Sequence, residues 1–161
     1  MKEVSLTKGK VAIVDDEDYD YLNRFSWYVL GHPTMEYAAR YGGCKPNGQT
    51  IHIRMHRELM AAPSGIEVDH INGNRLDNRN SNLRLATRKE NGRNRKKNAI
   101  SLYSTYKGVT FHKRDCRWQA IIVVSGKHIY LGQFKTEQEA ALAYNKAAKE
   151  KFGEYAKINQ I

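Results

Sequence analysis

The adjacent residues Asp69 and His70 combine two functions that hydrolysis of a phosphodiester bond requires. Such a reaction needs an activated water, a cation that takes up charge on the phosphate, and a fixed geometry. A neutral histidine can take a proton from water near pH 7, and an aspartate supplies a hard oxygen ligand. Because neighbouring residues of a strand face opposite ways, one of the two can hold a metal while the other faces a substrate.

Two asparagines further along the chain extend this set. Asn91 could offer an amide oxygen to the ion that Asp69 holds, and two protein oxygens completed by water and phosphate oxygens suit Mg²⁺. Asn82 could form a hydrogen bond that fixes the His70 ring, as residues around metal sites commonly do. The four residues together predict a hydrolytic site that uses one metal ion.

The segment from about residue 61 to 97 must position these side chains. Its pattern predicts a strand over 65–70, a loop over 72–82 and a second strand over 83–87. Within the loop, several polar residues are expected to form turns rather than to bind a metal. These turn formers are Asn72, Asn74, Asp77 and Asn78.

A helix start follows the second predicted strand. Thr87 and Glu90 have the spacing of a capping box, in which each side chain bonds the backbone of the other. This pattern predicts a short helix that begins there and carries Asn91 just past its first turn. The predicted order is therefore strand, long loop, strand and helix.

The first sixty residues are expected to form a small α+β scaffold. The pattern predicts a hairpin over 4–14, a helix within 15–25, strands over 37–41 and 49–55, and a brief helix over 57–61. In the second of these strands three residues alternate on one face, namely His52, Arg54 and His56. His56 could brace the site, or it could be a structural histidine with its hydrogen bonds satisfied.

The last sixty residues are predicted to form a three-stranded sheet and one helix. The strands are expected over 106–111, 117–124 and 127–134, with turns between them. A second capping box, Thr136 to Glu139, begins a helix that ends at Gly153. An alanine-rich stripe on this helix allows close packing on a sheet. The aromatic residues expected in the core are Trp118, Phe134 and Tyr144.

Composition and charge narrow the class of protein. The chain has 161 residues, 40% of them hydrophobic, with 27 Lys and Arg against 17 Asp and Glu. Residues 1–87 carry 11 basic and 11 acidic side chains, so all the excess positive charge follows them. A basic part beside a neutral part is typical of a protein that binds nucleic acid, although a charge run can also serve only solubility.

Other classes are excluded by the same sequence. No apolar run approaches the roughly 18 residues that span a bilayer, and the first residues lack the apolar stretch of a secretory signal. Cys44 and Cys116 are the two cysteines, too far apart in sequence for a Cys-x-x-Cys metal or redox motif. We therefore expect no membrane partner and a cytoplasmic location, which would be the host cytoplasm if the protein is encoded by a phage.

The motifs around Asp69 resemble the HNH endonuclease signature, most of all that of phage and intron-encoded homing endonucleases. The resemblance covers roughly residues 1–95. It implies a ββα-metal fold in which His70 is the general base, Asp69 a metal ligand, Asn82 the residue that orients the histidine, and Asn91 the replacement for the last histidine. An asparagine there favours Mg²⁺ or Mn²⁺ over Zn²⁺. The matching segments are Val68–Asn74, Leu76–Arg79, Ser81–Arg84 and Thr87–Asn91.

Residues 103–160 resemble a second family, the APETALA2 (AP2) DNA-binding domain. The resemblance implies a three-stranded antiparallel sheet that lies in the major groove of double-stranded DNA, with the helix behind it. It is carried by Tyr106–Val109, Arg117–Ala120, Tyr130–Phe134 and Glu139–Tyr144. The positions that face the groove differ in residue type from those of plant members. They are Lys107, Thr110, Ile121, Val123, His128 and Tyr130.

These inferences define one architecture. The fold class is α+β, with a ββα-metal nuclease domain over 1–97 and its core at about 65–97, a basic linker over 98–105 and an AP2-type domain over 106–161. The function expected is that of a metal-dependent DNA endonuclease of the homing type that nicks one strand, with a monomer favoured. The expected DNA contacts are Arg79, Arg84, Arg88, Lys89, Arg93, Arg95, Lys96, Lys97, Lys107, Thr110, His112, Arg117, His128 and Tyr130.

Two other functions remain open at this point. The chain could be a DNA-binding regulator whose nuclease domain is inactive, or a non-specific defence or toxin nuclease. The presence of all four proposed site residues argues against the first. A dedicated sheet that reads DNA argues against the second.

Overall fold

A computed structural model describes residues 1–94 and 104–161 of the chain. It is a mixed α/β structure with several small antiparallel sheets. The chain divides into two compact units, Met1–Asn91 and Gly92–Ile161. No helix in the described part of the chain is long and apolar enough to cross a membrane.

The first unit opens with a hairpin, which is followed by a three-stranded sheet and two short helices. Strands β1 and β2 pair antiparallel, with Val4 opposite Ala12. Three further strands form a sheet in the order β3-β4-β5, and the core between these elements is built on Trp27 and Met55. The elements are β1 Lys2–Ser5, β2 Val11–Val14, α1 Asp16–Leu22, β3 Tyr28–Leu30, β4 Tyr37–Cys44, β5 Thr50–Arg54 and α2 Met55–Leu59.

The second helix begins earlier than the sequence pattern predicts. It starts at Met55, directly after β5, rather than at Arg57. The prediction that His56 lies on a strand face with His52 and Arg54 was therefore wrong, because His56 belongs to α2. Arg57 closes the following turn by donating to the carbonyl oxygens of Ile66, Ala62 and Pro63.

The end of the first unit has the predicted order of strand, loop, strand and helix. Strand β6, Glu67–His70, pairs antiparallel with β7, Leu83–Ala86, and α3, Arg88–Arg93, follows. The Thr87–Glu90 capping box is confirmed, since the Glu90 N–H donates to Thr87 Oγ1 at 3.3 Å and the Thr87 N–H to Glu90 Oε2 at 2.9 Å. The loop between β6 and β7 is anchored to β2, where Ile13 bridges to Asp77.

The second unit is a three-stranded sheet covered on one face by a helix. Its strands are β8 Val109–His112, β9 Arg117–Val124 and β10 Lys127–Phe134, in the order β10-β9-β8, and the helix is α4 Glu137–Phe152. The Thr136–Glu139 capping box is confirmed. Strand β8 begins three residues later than Tyr106, the predicted start.

Small residues let the helix of this unit lie close to its sheet. Four buried alanines of α4, at positions 140, 141, 147 and 148, pack toward β8 and β9. Trp118 and Phe134 pack against this core and Tyr144 is buried in it, as expected. Because α4 covers one face, the side chains on the opposite face of the sheet remain open to a partner.

Candidate functional site

His70 lies at the end of β6 and is 5% exposed. Burial lowers its pKa below the ordinary value, while the Asn78 side chain and the Asp69 carboxylate oppose this shift. The imidazole is consequently neutral near pH 7, which is the form that can accept a proton from water. The structure thus gives His70 the protonation state that a general base needs.

Asp69 points to the opposite side of β6 and is held by Arg84. The Arg84 Nε and Nη2 atoms donate to Asp69 Oδ2 at 2.9 and 2.6 Å, across the strand pair that joins β6 to β7. Both side chains are largely buried. Arg84, expected to contact DNA phosphate, therefore lies against the carboxylate of the site.

Asn91 contacts the same face of β6 through a residue that the sequence reasoning missed. Its Nδ2 donates to Glu67 Oε2. Glu67 lies two residues before Asp69 and so shares its face of the strand. That period-two spacing was the sequence signal that could have found Glu67.

The Asn82 side chain bonds two backbone groups of the loop. Its Oδ1 accepts from the Asn72 N–H at 3.0 Å, and its Nδ2 donates to the Asp77 carbonyl at 2.8 Å. These bonds fix the backbone of the loop between β6 and β7, and the Asn78 side chain is the amide that acts on the pKa of His70. The side-chain hydrogen bonds of Asn82 therefore hold the loop, and its action on the His70 ring stays a prediction.

The loop residues form turns, as expected, and one of them engages an arginine. Asn72 Oδ1 accepts from the Asn74 N–H at 2.7 Å, and Asn72 Nδ2 donates to Asp77 at 2.8 Å. Arg79, expected to contact DNA, donates from Nε and Nη2 to the two Asp77 oxygens at 2.8 and 2.7 Å. The Arg79 side chain is still about one third exposed.

The donor set of this site has the chemistry of a hard-cation site. Within residues 1–94 and 104–161 no group of three or more His, Cys, Asp or Glu side chains is arranged to hold a metal. The face of β6 does carry the Asp69 carboxylate, and the Asn91 amide reaches the same face through its hydrogen bond to Glu67. Such oxygens, completed by water and phosphate oxygens, fit Mg²⁺ or Mn²⁺.

The basic residues after β7 have different environments. Arg88 and Lys89 are exposed on α3. The Arg93 guanidinium lies over the Phe152 ring, 4.7 Å from its centroid. The expected contacts Arg95, Lys96 and Lys97, and most of the expected linker 98–105, lie outside the described residues.

The open face of the second unit carries five of the fourteen expected DNA contacts, together with Ile121 and Val123. Alternation along the strands places together Thr110, His112, Arg117, Ile121, Val123, His128 and Tyr130. Tyr130 is 58% exposed and Val123 48% exposed, on the side away from α4. The His112 Nδ1 lies 3.1 Å from Asp115. On this face Ile121 and Val123 contribute apolar side chains, and Arg117 contributes a basic one.

Lys107 differs from its expected place on this face. Its Nζ donates to the Arg93 carbonyl at 2.6 Å, and its backbone N–H donates to Asn159 Oδ1 at 2.7 Å. Burial, and then the charge of Lys157, lower its pKa. The Lys107 side chain therefore forms a hydrogen bond inside the second unit and does not extend from the open face of the sheet.

Comparison with known proteins assigns both parts of the chain. The family model described as HNH endonuclease matches residues 61–93, which span β6, the loop, β7 and α3. An uncharacterized HNH endonuclease of Acanthamoeba polyphaga mimivirus is 32% identical over 162 residues, covering 96% of this chain and 77% of the relative. The chain belongs to the HNH endonuclease family. Membership in this family supports a nuclease function, and HNH nucleases generally depend on a metal ion.

The second unit of the HNH endonuclease matches the AP2 domain over residues 104–154. The AP2-like ethylene-responsive transcription factor TOE2 of Arabidopsis thaliana is 47% identical over 58 residues, and APETALA2-like protein 2 of Oryza sativa is 48% identical over 56 residues. These matches cover about a third of this chain and 12 to 13% of the plant proteins. The architecture is thus an HNH nuclease joined to a DNA-binding AP2 domain.

Proposed function

We propose that this HNH endonuclease hydrolyses phosphodiester bonds of double-stranded DNA at a site that its AP2 domain helps to select. The observation that carries the proposal is the arrangement on β6. A buried, neutral His70 lies on one side of the strand, and an oxygen-rich face built on Asp69 lies on the other. In this proposal β6, β7 and α3 form a ββα-metal arrangement.

The residues of the site divide the work of hydrolysis. His70 takes the proton from the attacking water, because its imidazole is uncharged at neutral pH. Asp69 and Asn91 hold one Mg²⁺ or Mn²⁺ ion, and a bound ion would supply charge stabilisation for the phosphate and the leaving oxygen. Asn82 keeps the loop beside His70 in one conformation through its two backbone hydrogen bonds.

The two units have separate tasks in this proposal. The nuclease domain covers residues 1–97, and the AP2-type domain over 106–161 places the open face of its sheet in the major groove, which can admit strands. Phosphate contacts come from exposed basic residues of α3, with residues 98–105 as a basic linker. One ion site in each chain means one cut strand in each binding event, as expected of a homing-type enzyme that nicks DNA.

Cleavage of supercoiled plasmid tests the nuclease function. Wild type is compared with His70→Ala and with the matched control His32→Ala, since His32 is exposed and bonds only locally to Thr34. With Mg²⁺ we expect cleavage by wild type and control, and a loss of about 10²- to 10⁴-fold in rate for His70→Ala. Open-circular product would indicate nicking, and linear product paired cuts. Equal cleavage by His70→Ala would contradict the proposal.

Binding to DNA tests the role of the AP2 face. Tyr130→Ala removes a large exposed side chain from the open face, whereas Leu142→Ala removes one of similar exposure from α4. We expect weaker binding to the cleavable DNA only for Tyr130→Ala. A stronger effect of Leu142→Ala would assign DNA binding to the helix face instead.

A further inference from the structure

The contact between Asn91 and Glu67 constrains an amide whose two ends have opposite chemistry. The Asn91 Nδ2 donates to Glu67 Oε2, so the nitrogen of the amide faces the carboxylate. The Oδ1 atom is then turned away from Glu67, because the two atoms lie on opposite sides of the planar group. Only this oxygen can bind a cation, since the amide nitrogen is a donor.

The backbone around Asn91 fixes where its side chain starts but not which way the amide faces. The Asn91 N–H donates to the Thr87 carbonyl at 2.9 Å, which holds the residue in the first turns of α3. The capping box fixes the start of the same helix. Without a partner for Nδ2, the terminal torsion of asparagine is broad and roughly two-fold. The hydrogen bond to Glu67 therefore fixes the orientation of the Asn91 amide, which the backbone of α3 does not fix.

The two carboxylates of β6 have different partners and so different tasks. Asp69 lies opposite Arg84, whose guanidinium balances its charge across the strands. Glu67 lies opposite Ala86, an apolar neighbour, and its carboxylate bonds the Asn91 amide. A carboxylate that accepts from an amide N–H makes a strong, charge-assisted bond. The bond between Glu67 and Asn91 thus connects α3 to the face of β6 that carries Asp69.

We propose that Glu67 is a positioning residue, which orients the Asn91 amide so that its oxygen points toward a divalent cation. This inference rests on the proposed function, in which Asp69 and Asn91 hold Mg²⁺ or Mn²⁺. Glu67 acts through Asn91, in the way that outer partners of metal ligands generally act. Its carboxylate accepts a hydrogen bond and transfers no proton in the reaction.

Binding of Mn²⁺ to the full chain, followed by the loss of the electron paramagnetic resonance signal of the free ion, tests the inference without any cleavage assay. Glu67→Leu removes the acceptor, and we expect Mn²⁺ affinity to fall about 10- to 100-fold. Glu67→Gln keeps an acceptor oxygen for Asn91, so we expect affinity within about threefold of wild type. Glu3→Gln, on the exposed part of β1, is the matched control for loss of a carboxylate.

A double-mutant cycle with Asn91→Ala separates positioning from direct binding. If Glu67 acts only through Asn91, then Glu67→Leu has no further effect on Mn²⁺ affinity once Asn91 is alanine. Circular dichroism and a thermal melt establish that each variant is folded. A fall in Glu67→Gln as large as in Glu67→Leu, or additive effects in the cycle, would overturn the positioning role.

Asp69→Ala distinguishes failure of the inference from failure of the proposed function. Wild-type affinity in Asp69→Ala, or no binding by wild type, would overturn both. Loss of binding in Asp69→Ala together with wild-type binding in Glu67→Leu would overturn the positioning role of Glu67 alone.

Discussion

The imidazole rings of His56 and His70 lie edge to face, with their centroids 5.1 Å apart. The Tyr37 ring packs beside both, with its centroid 5.2 Å from that of His56 and 6.3 Å from that of His70. His56 is 4% exposed, and among the described residues its Nδ1 has no hydrogen-bond partner. His56 is therefore a buried support for the proposed base and not a structural histidine with its hydrogen bonds satisfied.

Replacement of His56 should separate packing from polarity. His56→Ala leaves a cavity beside His70 and should lower the free energy of unfolding by about 2 kcal/mol or more. His56→Phe keeps a ring and removes a buried polar atom that lacks a partner, so stability should be unchanged or slightly higher. Urea denaturation measures both. If the phenylalanine variant is stable but inactive on plasmid, a ring nitrogen of His56 has a role in the reaction.

Acid should destabilise the nuclease unit through His56. Burial, and then the charges of His70, Arg54 and Arg57, lower the pKa of His56 to about 3. Between the ordinary value and this value the unfolded chain binds a proton that the folded chain does not, so stability falls as the pH drops through that window. We expect a shallower fall in His56→Phe than in wild type, measured by urea denaturation at several pH values. His128→Gln, an exposed site, serves as the control, and parallel curves for wild type and His56→Phe would contradict the assignment.

Removal of Arg84 should make the fold depend more on metal. Arg84→Ala leaves the buried Asp69 carboxylate without its guanidinium, which should cost about 3 kcal/mol of stability. Because the ion then meets Asp69 without a competing cation, Mn²⁺ should raise the melting temperature of Arg84→Ala more than that of wild type. Arg79→Ala breaks the more exposed pair with Asp77 and should cost less. An equal Mn²⁺ effect in wild type and Arg84→Ala would refute the competition.

Asn82 variants should loosen the loop in a graded way. Asn82→Ala removes both hydrogen bonds to the loop backbone and should cost about 2 kcal/mol. Asn82→Asp keeps the acceptor for the Asn72 N–H and loses the donor to Asp77, so its effect should be smaller. Hydrogen exchange of the Asn72 and Ile71 amides reports the change, and faster exchange in the aspartate variant than in the alanine variant would reverse this order.

Gly108 should be sensitive to a single added methyl group. A Cβ there would lie 2.0 Å from a ring carbon of Tyr144, and the φ of +75° also disfavours a side chain. Gly126 has a similar φ of +80° but open space around it. We therefore expect Gly126→Ala to cost about 1 kcal/mol and Gly108→Ala distinctly more, with loss of DNA affinity. Hydrogen exchange of the second unit measures both variants, and equal losses would show that only backbone strain matters.

Local signals predicted the elements of the chain best. The predicted bounds of β9 and β10 and both capping boxes are confirmed. These features depend on residues two or three positions apart, so a short stretch of sequence is enough to predict them. Strand β3 has three residues and was missed. The start of α2 was missed as well, since Arg54 precedes it without a side-chain cap that could signal a helix.

The side-chain pairs of the candidate site could not be predicted from local sequence patterns. Arg84 meets Asp69, and Asn91 meets Glu67, because of the register between β6 and β7 and the path of α3. Such pairs join residues 15 and 24 positions apart. Residue types alone predicted that Arg84 contacts DNA, and only the fold shows that it bonds the Asp69 carboxylate. The metal and DNA roles of these residues stay predictions.

The loop after β6 also has a consequence for the chemical ageing of the protein. Asn72 and Gly73 form a dipeptide prone to deamidation, which requires the glycine nitrogen to attack the asparagine side chain. Here the Gly73 N–H donates to the His70 carbonyl at 2.8 Å, and both ends of the Asn72 amide are bonded. The folded loop thus protects a labile bond beside the site, and storage or heating that opens the loop would convert Asn72 to aspartate or isoaspartate irreversibly.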